Sequence, residues 1–169
     1  NSKVVAIGEI GLDFFRNQIS PKIQIETFEK QLNLAQKIKK PVIIHSRSAD
    51  SEILPVLANF PGIRAVFHCF GGDWSFAEKI LDRGFELGLT GIVTFPNAKN
   101  THEVARKIPL AKLLVETDCP FLAPQKMRGE RAEPAHVAEV AAKIAELRGV
   151  EISEIAEKTT ENAERFFGI

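Results

Sequence analysis

The sequence predicts an α/β protein of parallel strands, and three observations lead there. Short runs of Val, Ile, Leu and Phe alternate with longer stretches of helical periodicity along the whole chain. The runs are continuously apolar, as in strands covered on both faces, rather than alternating as in half-solvated ones. Five strand-then-helix units follow one another, each of about 20 to 30 residues, the scale of one β/α step.

The first strand is read at residues 4–7, followed by Gly8 and the carboxylate Glu9, at the point where an apolar strand should be ending. An acid there does no packing. In parallel α/β proteins the loops after the strands open into a shared crevice or barrel mouth, where ligands gather. Gly11, Leu12, Asp13, Phe14, Phe15 and Arg16 form the next loop, with Asp13 and Arg16 near the expected site. Pro21 can open a helix. Phe28, Leu32, Ala35 and Ile38 then recur at helical spacing, Lys37, Lys39 and Lys40 suit the negative end of its dipole, and Pro41 stops it.

A second strand, 41–44, ends in His45. A helix is expected over about 49–59, with Pro55 tolerable only as a kink or a break. The turn Phe60-Pro61-Gly62 closes it, and a third strand ends at His68. After Gly71 and Gly72 comes a helix over about 74–83, ended by Gly84, and a strand over 85–90 that delivers Thr90 and Gly91. A shorter helix is expected over about 101–107, and the run from Ile108 rises to Glu116 and Asp118. In the last third Val137, Val140, Ala141, Ile144 and Leu147 make one apolar stripe ended by Gly149, and a pair of helices is expected over 153–167.

The 169 residues suit a single domain, 1–169, able to bury roughly 70% of the surface of its unfolded chain. Hydrophobic residues at 44% and charged residues at 26% exclude disorder as the general description. No apolar run approaches the ~18 residues of a membrane span, and the first residues lack the regions of a signal peptide, so a cytoplasmic protein is expected. Two cysteines, Cys69 and Cys119, are too few for a disulfide framework. Basic and acidic residues balance at 22 each, so no global positive field favours nucleic acid or anionic lipid. That argues against a classical DNA-binding module, but leaves open an enzyme that grips phosphate locally through metal ions. A full eight-unit barrel takes ~250 residues. Five units therefore read as a partial barrel or an open parallel sheet, with about three units missing on the N-terminal side, in keeping with a start at Asn1-Ser2-Lys3 without an initiator methionine.

Glu9, His45, His68 and Asp118 all fall at the ends of predicted parallel strands. Carboxylate and imidazole together suit a divalent ion such as Zn2+, Mn2+ or Mg2+. Any one of the four has a structural alternative; four at the same end of successive strands point to a metal centre holding one or two ions. Cys69 and Cys119 each follow a candidate ligand, and strand alternation turns them to the opposite face as small buried residues. His102 reads as a solvated helix start and His136 as a cap-region residue, while Trp74 reads as packing. Arg47, Arg128 and Arg131 are placed to meet an anionic substrate, with a solvated charge as the alternative.

The series GEIGLD, PVIIHSR, FHCFGG and LLVETDCPFLAP, then RGERAEP and TTENAERFF, resembles the TatD family of metal-dependent deoxyribonucleases through essentially the whole chain. The resemblance implies a (β/α)8 TIM barrel, present here as about five C-terminal units, and a one- or two-metal centre that cleaves phosphodiester bonds in DNA, commonly with Mg2+. It implies that Glu9 is the carboxylate shared between metals, His45 and His68 ligands of one of them, and Asp118 the remaining ligand that orients or deprotonates the attacking water. Gly71-Gly72 stands where the family often has Ser-Gly, and Ala132 where it often has Asn; neither is a ligand. The His-x-His motif that opens the family's first strand is absent, which leaves Glu9 and Asp118 alone for the second metal.

Three functions follow as expectations. The first is a TatD-type DNase. The second keeps barrel and metal but takes a small ester, lactone or amide. The third is a catalytically silent partial barrel whose exposed sheet edges meet a second copy or an N-terminal barrel fragment, since open edges are a liability that proteins cover.

Overall fold

The computed structural model describes residues 3–16 and 18–169. It falls into two compact units, one reaching to His68 and including Phe166–Ile169, the other Cys69–Arg165.

In the first unit strand β1 is Ile7–Asp13, helix α1 Pro21–Ile38, β2 Val42–Arg47, α2 Asp50–Ala58 and β3 Ala65–Phe67. The strands run parallel in the order β1-β2-β3, with Ile44 opposite Ile10 on one side and Phe67 on the other. Leu12, Val42, Ile44, Ala65 and Phe67 are buried against the faces of α1 and α2 that carry Phe28, Leu32, Ala35, Ile53 and Leu57. Burying a leucine such as Leu32 in full contributes about 1.5–3 kcal/mol. Pro21 starts α1 as expected, and Lys39 ends it in the left-handed conformation, its N–H returning to the carbonyls of Ala35 and Gln36.

The first strand differs from its expected position. It begins at Ile7 and runs through Glu9 to Asp13, so that Glu9 lies within the strand rather than past its end. The register explains this: Ile7 faces Val42 and Ile10 faces Ile44, so three steps along β1 match two along β2, and Glu9 sits in the resulting irregularity. A bulge of this kind re-aims a side chain. The second strand likewise continues beyond its expected end, through His45 to Arg47. Pro55 lies inside α2, which runs on to Ala58.

Gly11 is required by the close approach of these two strands. Its φ is +145°, and a Cβ there would overlap the carbonyl oxygen of His45 directly opposite.

The second unit contains α3 Trp74–Leu81, β4 Glu86–Leu89, α4 Lys99–Lys107, β5 Leu113–Val115, α5 Val137–Arg148 and most of α6, Ile152–Phe167. β4 and β5 are parallel, Leu87 facing Leu113 and Leu89 facing Val115. Asp73 caps α3 by accepting the Phe76 N–H at 2.9 Å, and Gly149 ends α5 at φ 67°. The expected pair of terminal helices is one continuous helix, α6, because residues 152–167 contain no Gly or Pro to interrupt it. Its polar residues Asn162 and Arg165 are structural. Fully buried Asn162 donates to the carbonyls of Leu110 and Leu113 at 2.7 and 2.8 Å, and Arg165 pairs with buried Glu86 at 2.9 Å while donating to the Ala111 carbonyl at 2.8 Å.

The cysteines do not both lie where strand alternation puts them. Both come after their strands have ended: Cys119 is exposed, and Cys69 is half-buried with φ 48° and its Sγ 3.4 Å from Thr90 Oγ1. No helix among the described residues is long and apolar enough to cross a membrane.

Candidate metal centre

Three of the four expected ligands meet in the first unit. Glu9 comes from the β1 irregularity, His45 from β2, and His68 from the first position after β3, where its backbone N–H donates to the Ile44 carbonyl at 3.0 Å. One carboxylate oxygen, Glu9 Oε2, lies 2.7 Å from His45 Nδ1 and 2.5 Å from His68 Nε2. Those two nitrogens are 3.3 Å apart, and the ring centroids are 5.6 Å apart. The side chains are 46%, 32% and 12% exposed respectively, so the cluster is open on the Glu9 side and walled by His68.

Two imidazole nitrogens and one carboxylate oxygen, each able to present a lone pair, converge on one point. The 3.3 Å separation of the nitrogens is about that of two ligands ~2.0 Å from one tetrahedral ion. The shorter contacts to Glu9 are hydrogen-bond lengths. One carboxylate and two imidazoles with an open side make a donor set that fits a divalent ion and leaves room for water.

The remaining ring nitrogen of His45, Nε2, faces Asp13 Oδ2 at 3.3 Å. Burial raises the Asp13 carboxyl toward its neutral form, but the Arg16 backbone N–H, the His45 side chain and the Phe15 backbone N–H together outweigh it and hold the group below its usual range. Asp13 has no evident role in the sequence alone, although its even spacing from Glu9 along a strand puts the two on one face.

Asp118 belongs to the second unit. It is half-buried, three residues beyond the end of β5, and its backbone carbonyl accepts the Phe121 N–H at 2.8 Å. Glu116, which has no evident task in the sequence alone, accepts the Cys69 backbone N–H at 2.6 Å. Arg47 is exposed with its guanidinium 3.8 Å from the centroid of the Phe15 ring; Arg128, also exposed, lies 4.8 Å from that of Phe95. His136 accepts the Glu133 N–H at 3.1 Å and so caps its helix turn. His102, expected to be solvated, is instead half-buried with Nε2 2.9 Å from the Val93 carbonyl, because the loop after β4 folds back over α4. Trp74 is half-buried, with Lys107 Nζ 5.3 Å from its ring centroid.

Solved structures and curated sequences resemble this chain over nearly its whole length. The crystal structure of YjjV, a TatD homologue from Escherichia coli K12, superposes with a TM-score of 0.93 at 36% identity, covering 99% of this chain and 65% of that one. A TatD-family hydrolase from Entamoeba histolytica gives 0.88 at 27% identity, covering 98% of this chain and 64% of that one. The fold is thus α/β of the TatD type, and the sequences place it among metal-dependent hydrolases. It is 44% identical to YabD of Bacillus subtilis strain 168, named as an uncharacterized metal-dependent hydrolase, over all of this chain and 67% of that protein. It is 40% identical to the 3'-5' ssDNA/RNA exonuclease TatD of Citrobacter rodentium, over 99% of this chain and 66% of that protein. The chain belongs to the TatD-related DNase family, whose model matches residues 1–168. It spans about two thirds of the length of these relatives.

Proposed function

We propose that this chain carries the metal-binding part of a hydrolase that cleaves phosphodiester bonds in DNA. The observation that supports it most is the convergence of Glu9, His45 and His68 on one point open to solvent, in a family whose relatives include a 3'-5' ssDNA/RNA exonuclease. Glu9, His45 and His68 would hold a divalent ion, Mg2+, Mn2+ or Zn2+, with Asp118 as a ligand of a second. Such an ion lowers the pKa of a bound water toward neutrality and polarises a phosphoryl oxygen.

The chain's own residues supply the rest. Glu9 contributes negative charge at the centre and stays partly solvated. The imidazoles of His45 and His68 offer neutral nitrogen donors from two adjacent strands, so the rigidity of the β2–β3 ladder fixes their separation. Asp118 is assigned to orient or deprotonate the attacking water. Arg47 and Arg128 are assigned to the phosphate backbone, where a guanidinium can bind bidentately and an adjacent aromatic ring can hold it flat. Residues 1–169 act in this reading as a single domain, the C-terminal part of a barrel, which the superposition on YjjV over 99% of the chain supports. Cytoplasmic residence goes with it.

The test is a metal-supplemented nuclease assay on single-stranded DNA, RNA and duplex DNA, using the full-length protein. Cleavage is expected to vanish in Glu9→Ala and Asp118→Ala and to return with added metal after chelation. Metal-independent cleavage retained in both variants would overturn the reading. Zero formal net charge favours a second reading, a small ester, lactone or amide as substrate. A substrate panel run beside the nucleic acids separates the two.

A further inference from the structure

We infer that Asp13 is a positioning residue that fixes which nitrogen of His45 can bind a metal, an inference that rests on the metal-centre reading above. Its two carboxylate oxygens have different tasks. Oδ1 accepts the backbone N–H groups of Phe15 and Arg16 at 3.1 and 3.2 Å, and Oδ2 lies 3.3 Å from His45 Nε2. The backbone of Asp13 is itself clamped by the Gln24 side chain of α1. Gln24 Oε1 accepts the Asp13 N–H at 2.8 Å, while its Nε2 donates to the carbonyls of Asp13 and Ile19 at 3.0 and 2.9 Å. The carboxylate is therefore held from two sides before it meets the ring.

An ionised carboxylate can only accept. Facing Nε2 it keeps the proton on that nitrogen and leaves the Nδ1 lone pair directed at the point where Glu9 and His68 converge. Metal-binding histidines commonly donate their other N–H to such a carboxylate, which fixes tautomer and ring orientation and raises ligand basicity. The Asp13 geometry places that partner here.

The asymmetry of the two oxygens yields a discriminating test. In Asp13→Asn the amide oxygen must still accept from Phe15 and Arg16, so the amide NH2 turns toward His45. A donor at Nε2 drives the imidazole proton to Nδ1, the nitrogen that must be free. The isosteric Asp13→Asn is thus expected to be at least as damaging as Asp13→Ala, whereas a merely structural carboxylate would be well replaced by an amide.

The experiment titrates the metal-free chain with Zn2+ against a chromophoric chelator, for the unsubstituted protein, Asp13→Asn, Asp13→Ala and Glu9→Ala, alongside thermal melts without metal. For Asp13→Asn, affinity about 10–100-fold weaker with melting unchanged is expected. The His45 Nε2–H resonance of the metal-free protein, observed by nitrogen-15 NMR, should give way to an Nδ1–H resonance in that variant. If Asp13→Asn binds Zn2+ within twofold of the unsubstituted chain and keeps the Nε2–H resonance, the inference on Asp13 fails while a Glu9→Ala loss leaves the metal centre standing. If the unsubstituted chain binds no stoichiometric Zn2+, or Glu9→Ala binds as well, the underlying reading fails and takes the inference with it. Should Asp13→Ala fail to fold, Asp13→Asn alone decides, since it retains the turn's backbone hydrogen bonds.

Discussion

The carboxylate of Glu116 accepts the backbone N–H of Cys69 at 2.6 Å, holding a residue whose φ is 48°. Gly88 of β4 makes room for that carboxylate, since a Cβ at Gly88 would collide with Glu116 and with no other residue. Removing the acceptor strands a backbone donor, a loss of about 1–3 kcal/mol. Glu116→Ala and Gly88→Ala should each lower the urea midpoint. In the Glu116→Ala background the added cost of Gly88→Ala should shrink, because the clash has gone, and a double-mutant cycle measures this. Strict additivity would refute the pairing.

Gly11 presses backbone against backbone, so no side chain can give way. Gly11→Ala must displace β1 from β2 at His45. The expectation is a stability loss above about 2 kcal/mol together with lost Zn2+ binding, because Glu9 and His45 are held in register by that contact. Denaturant titration and chelator competition on the same sample check both.

Asn162 satisfies two carbonyls from a fully buried position. Asn162→Ala removes a donor from each carbonyl, of which Leu110 keeps the Leu113 backbone N–H, and deprives Arg165 of an acceptor at 2.8 Å, which should cost about 1–3 kcal/mol. Arg165→Ala isolates the buried Glu86 carboxylate, so it should be milder in a Glu86→Gln background. Urea midpoints of the two pairs are the measurement, and metal affinity should follow only through global unfolding.

Binding to the folded state alone stabilises it by mass action, by about 2.7 kcal/mol at a concentration one hundred times the dissociation constant. Saturating Zn2+ should raise the melting temperature of the chain, and chelation should reverse the rise. Glu9→Ala, His45→Ala and His68→Ala should each remove the effect. An equal rise in all three would locate binding elsewhere.

Local chemistry was legible in the chain. Pro21 opens α1 and Gly149 ends α5 because each acts through its own φ and its immediate neighbours. Glu9, His45 and His68 stood out because polar donors closing apolar runs have no packing role. Less legible were the lengths of strands, which depend on a partner's register: β3 and β5 are three residues each, while β1 runs to Asp13. The cysteines were misplaced for a related reason, since alternation holds only while a strand lasts, and both lie past the end.

By itself, then, the sequence determined the order of elements, the alternation of strand and helix, and the identity of three residues able to share a cation. Tertiary structure alone decided that one oxygen of Glu9 serves both imidazoles, that His45 presents Nδ1, and that Asp13 stands behind its Nε2. The physical reason is range. Propensity and capping act over a few residues, whereas Asp13 and His45 are 32 apart and meet only because an extra residue in β1 shifts its register against β2.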